Sequence, residues 1–112
     1  MTDLEEQWLT QLLQDLRQDL DAAAGLLSSV GETFWSAKLR DMAERVWERP
    51  RLVGQIESWF GGMGSLNDVY LCRHNGHKVT EEEEVPINGR LRAVLGRIFK
   101  NANEMRRWFD LN

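Results

Sequence analysis

A single cysteine, two prolines and the absence of any long apolar run are the first marks of this 112-residue chain. Cys72 stands alone, so no internal disulfide can form, and a reducing cytoplasmic setting is expected. Two prolines beside 42% hydrophobic and 29% charged residues make a globular composition rather than a disordered one. No segment approaches the roughly 18 apolar residues of a membrane span, so no membrane role is expected. The first twenty residues are acidic and amphipathic, unlike the basic end and apolar stretch of a signal peptide. A basic excess is missing too: the net charge of -4 argues against a general nucleic-acid binder.

What is present is helical periodicity. Leu4, Trp8, Leu9, Leu12, Leu13, Leu16, Leu20, Ala23, Ala24 and Leu27 recur at three- and four-residue spacing, which predicts an amphipathic helix of about 25 residues. Thr2 and Glu5 form a capping-box pattern at its start. A second helix is predicted at about 32–48, with Trp35, Leu39, Met42, Ala43 and Val46 as its stripe and Phe34 and Trp47 flanking it. Pro50 punctuates it, and a short helix at about 51–60 carries Leu52, Ile56, Trp59 and Phe60 up to a C-cap at Gly61. The last helix is predicted from about Ile87 to Phe109, on Leu91, Val94, Leu95, Ile98, Phe99, Ala102, Met105 and Phe109. Gly96 in its middle suggests close approach of a neighbouring backbone.

Between the third and last helices the pattern changes. Val69 and Leu71 alternate with Tyr70 and Cys72, Asn75-Gly76 is a two-residue hairpin signal, and His77, Lys78 and Val79 would return. The expected fold is therefore mainly α: one domain over 1–112, a four-helix bundle-like body with a short β-hairpin at about 68–80 before the last long helix. Glu81 to Glu84 cannot be buried as a run, so they mark a solvated loop or a helix start capped by Thr80.

Few residues point to catalysis. Asp68, Cys72, His74 and His77 are metal-ligand types, but the paired spacings of zinc sites are missing and the turn redirects His77. Cys72 and His74, two apart on a strand, stand nearly 7 Å from each other at their base, too far for a nucleophile–base pair. Gly61-Gly62-Met63-Gly64-Ser65 lacks the Gly-Lys-Ser/Thr of a phosphate loop, and it serves either as a structured turn or as a binding loop. No enzyme activity, cofactor or metal is expected.

Two features favour a binding role. Five tryptophans are many for this length; Trp35 fits a core, whereas Trp8, Trp47, Trp59 and Trp108 fall near stripe edges, where they either fill out a small helical core or stand exposed as anchors for a partner. Charge is also uneven. Residues 1–24 hold six acids and one base, and residues 90–107 hold six bases and one acid. Either the first and last helices are neighbours whose rims attract, or a bipolar surface steers a charged partner.

Gly31-Glu32-Thr33-Phe34-Trp35 with Leu39, followed by Gly61-Gly62-Met63-Gly64-Ser65-Leu66-Asn67-Asp68 and then Asn75-Gly76, resembles a small bacterial family of unknown function with a GGMGSLND-type stretch. That family is similar to the immunity proteins found beside secreted toxins, and the resemblance covers roughly residues 20–100. It implies a cytosolic, non-catalytic protein that binds and blocks a toxin domain. The surface expected to do so comprises Glu81, Glu82, Glu83, Glu84, His74, His77 and Asp68, with Trp59 as an apolar anchor. A housekeeping interaction or scaffold module, with homodimer formation among its options, is the alternative; a small metal-dependent enzyme ranks third.

Overall fold

The computed structural model describes residues 2–61 and 64–112. Four α-helices follow in order: α1 (Asp3–Ser29), α2 (Thr33–Glu48), α3 (Val53–Glu57) and α4 (Glu81–Leu111). Single 3-10 turns at Pro50–Leu52 and Ser58–Phe60 flank α3, so the expected third helix is broken into three pieces.

Local chemistry sets each boundary. The Thr2 hydroxyl accepts from the Glu5 amide at 3.1 Å, and the Glu5 carboxylate accepts from the Thr2 amide at 3.2 Å, closing the capping box of α1. α1 ends where Gly31 turns left-handed (φ 83°). There Glu32 N–H donates to Leu27 C=O and Gly31 N–H to Ser28 C=O, the paired bonds of a Schellman motif. The Glu32 carboxylate then caps α2 by accepting from the Trp35 amide at 3.0 Å. α4 starts earlier than its stripe indicated. Thr80 and Glu83 form a second capping box, which recruits Glu81–Glu84 into the first turn, where acids are favoured by the helix dipole. Pro86 lies inside this helix at the cost of one backbone bond near its start.

The chain order brings the apolar stripes together. Ser36 of α2 donates to Ala24 C=O of α1, and Arg17 lies over Trp47, so α2 runs antiparallel to α1. α4 is also antiparallel to α1: Asp19 pairs with Arg97 at 3.3 Å, and Trp108 donates to Glu5 at 3.2 Å. Residues 1–24 and 90–107 are thus neighbours across a helix pair, joined by one pair of opposite charges, Asp19–Arg97. One core cluster draws Leu16, Leu20 and Leu27, Leu39 and Val46, Ile56, and Leu91, Ile98 and Met105 from the four helices.

The expected β-hairpin is not there: no strand occurs among the described residues. Asn75-Gly76 does turn the chain, with Gly76 left-handed and its amide bonded to Arg73 C=O. Pairing stops after one rung. His77 N–H donates to Cys72 C=O, but Cys72 N–H donates to the His77 ring nitrogen Nδ1 instead of to backbone. Lys78 N–H then goes to Val30 C=O on the α1–α2 turn, which pulls the returning chain away. The bonds that a second strand would supply come instead from α4. The Asn88 side chain accepts from Leu71 N–H and donates to Leu71 C=O, both at 2.8 Å. One turn on, Arg92 donates to Asn67 C=O at 2.7 Å and Val69 C=O at 2.8 Å.

Gly96 has a different role from the one expected. A Cβ built there meets nothing within 4 Å, so no neighbour approaches closely. It is exposed, and it lines a shallow cleft with Phe60, Arg92 and Phe99. Gly96→Ala is therefore expected to raise the unfolding free energy by about 0.5–1 kcal/mol, through helix propensity alone. Thermal denaturation followed by circular dichroism reads the gain; a lower midpoint would mean that the glycine is needed by the fold.

Candidate functional site

The segment 64–79 lies against α4 and the start of α2, and a groove opens between them. Leu66, Leu71 and Val79 are buried and hold the segment to the core. Asp68 accepts from Gly64 N–H at 2.8 Å, and Asn75 donates to Tyr70 C=O at 3.0 Å, so the loop's polar side chains tie its own backbone. The groove has a volume of about 340 Å³. Glu32, Phe34 and Trp35 line it from the start of α2, and Ser65, Asp68, Tyr70, Asn75 and His77 from the segment. Its lining contains three aromatic rings and two carboxylates but no lysine or arginine.

Its walls are stiffened from below. Trp35 is buried, with Phe34 edge-on at 5.4 Å and Trp59 at 5.9 Å between ring centres. Phe34 is 59% exposed and Tyr70 42%. The Ser65 hydroxyl is buried with no hydrogen-bond partner among the described residues. His77 accepts at Nδ1, so its remaining ring proton sits on Nε2. A hydrogen-bonding approach to the Glu84 carboxylate pushes the Tyr70 phenol above its ordinary pKa. Tyr70 therefore lies near the acidic first turn of α4. Within this turn, the Thr80 backbone bond holds the Glu83 carboxyl below the usual range.

The residues singled out from sequence gather unevenly here. Asp68 and His77 line the groove. His74 is exposed on the neighbouring 3-10 turn, and Glu81, Glu82 and Glu83 are exposed on α4, while Glu84 is half-buried beside Tyr70. Trp59 is half-buried and props Trp35. Cys72 is buried, and no group of three histidine, cysteine or acidic side chains is arranged to hold a metal ion among the described residues. Gly62 and Met63 of the glycine-led stretch lie outside the described residues. Sequence reasoning missed Asn88 and Arg92, which fix the segment. Asn88 had a visible signal: it is a polar residue set in the register of Ile87, Leu91 and Val94.

A second exposed apolar area lies at the far end. Trp8 stacks near Trp108 with centres 6.4 Å apart, and Leu4 and Leu111 are largely exposed around them.

Residues 28–80 match a domain of unknown function (DUF6966). The match contains every residue that lines the groove and stops at Thr80, before the acidic turn and before Asn88 and Arg92. No curated protein and no solved structure matches the chain. No helix among the described residues is long and apolar enough to cross a membrane.

Proposed function

We propose that this protein is a non-catalytic binding module of the immunity type, which works in the cytoplasm by docking a basic toxin domain on the groove and the adjoining first turn of α4. One observation carries this reading: exposed Phe34 and Tyr70 share the groove with Glu32 and Asp68, no lysine or arginine is in its lining, and Tyr70 lies near Glu84 of the acidic first turn of α4. Apolar rings ringed by one sign of charge suit a protein partner, because the rings supply buried area and the charges speed encounter and exclude wrong partners. The resemblance to immunity proteins supplies the class of partner. All the groove residues fall inside the matched domain, which supports placing the function there.

The test begins with capture of partners from the native cell on the immobilised protein and their mass identification. A captured toxin domain should lose activity on addition of one equivalent of the protein. The triple variant Glu81→Lys, Glu82→Lys, Glu84→Lys spares the capping Glu83 and should weaken the complex by about tenfold or more, mainly through slower association. Unchanged affinity of the folded variant, or a captured toxin whose activity persists, would overturn the reading.

A further inference from the structure

We propose that the groove is a receptor for one arginine side chain of the partner, its guanidinium held against Phe34 and Tyr70 and facing Asp68 and Glu32. This rests on the reading of the protein as a binding module and names the group that it binds.

Three observations converge. First, both carboxylates have capacity to spare. Asp68 uses Oδ2 for the Gly64 amide and Glu32 uses Oε2 for the Trp35 amide; their other oxygens take part in no hydrogen bond or ion pair among the described residues. Second, the aromatic pair already holds a cation. Lys38 Nζ lies 4.9 Å from the Phe34 ring centre and 5.1 Å from that of Trp35, yet Lys38 is not part of the groove lining. Phe34 and Trp35 thus attract positive charge, whereas Tyr70, Glu32 and Asp68 pair with no cation among the described residues. Third, the groove is open to solvent, and Tyr70 on its wall lies near Glu84, so a side chain projecting from a folded protein can enter without a gate. Its volume of about 340 Å³ exceeds what one guanidinium needs and leaves room for the flanking backbone.

Arginine fits these demands better than lysine. Its planar guanidinium stacks on ring faces, sheds water more readily than an ammonium, and offers several donors to two separated carboxylates at once. A free metal ion would find no three converging ligands here, and an anion would meet like charge.

The probe is an acetylated, amidated glycine–serine peptide with one central arginine, titrated into isotope-labelled full-length protein. Its counterparts carry citrulline, which keeps the shape but not the charge, or lysine. Saturable shifts are expected at the amides of Gly64, Asp68 and Tyr70 and at the Trp35 indole, with millimolar affinity. Citrulline should bind about fivefold more weakly or worse. Asp68→Asn retains an acceptor for the Gly64 amide, and Phe34→Ala removes an exposed ring; each should weaken the arginine peptide by about threefold or more. Equal shifts from citrulline, lysine binding as tight as arginine, or shifts confined to other faces would overturn the proposal. Those results would not touch the proposed function, which is read from neutralisation of the partner. Conversely, peptide binding by a protein that neutralises no toxin would sustain the arginine site and remove the toxin reading.

Discussion

Asn88→Ala should cost about 2–4 kcal/mol of unfolding free energy, because it leaves the buried N–H and C=O of Leu71 without partners. Asn88 is 6% exposed, so water cannot readily replace the amide. Its third bond, to Glu84 C=O, adds little, since that carbonyl belongs to the α4 ladder. Such a loss is a large part of the roughly 5–15 kcal/mol that holds a domain of this kind together. Asn88→Leu should do comparable harm despite filling the space, which separates hydrogen bonding from packing. Urea denaturation gives the free energy, and amide exchange at Leu71 reports the local bond. A cost under about 1 kcal/mol, with Leu71 still protected, would show that the segment is held by something other than this clamp.

Leu71→Ala is the second large effect, at about 2–5 kcal/mol. Leu71 is fully buried in the core cluster, and the surrounding helices are too constrained to close the gap. The two substitutions act on one residue from two sides, one removing its backbone partners and the other its side-chain anchor. Their combined cost should fall short of the sum by about 1 kcal/mol or more, since either alone releases the segment. Strict additivity in a double-mutant cycle would mean that the two anchors work independently. Because Asp68, Tyr70 and His77 ride on this segment, either variant should also lose binding at the groove.

The helices were legible because their information is local. The Thr2–Glu5 capping box and the stripes of α1, α2 and α4 each depend on residues within a turn or two of one another. α4 is longer than its stripe because the Thr80–Glu83 box outweighs Pro86. The hairpin failed for the opposite reason. Asn75-Gly76 does specify a turn, but strand pairing was decided by Asn88 and Arg92, 17 and 23 residues beyond the backbone groups they satisfy at Leu71 and Val69. Alternation in a short segment cannot tell a strand from an extended chain clamped by a helix. The groove was half-visible for a similar reason: Asp68 and His77 stood out as residue types, whereas Glu32, Phe34 and Tyr70 gained a shared role only through the packing of α2 against the clamped segment.

The clamp also separates the stretch that matches the domain of unknown function from the unit of folding. The stretch shared with the domain of unknown function, 28–80, has its backbone satisfied and its apolar side chains covered by α1 and α4, most of whose residues lie outside it. Cut out alone, it would keep the groove's side chains and lose the two beams that shape them. What the groove segment takes from the two long helices is an apolar stripe on each and, on α4, an amide and a guanidinium one turn apart.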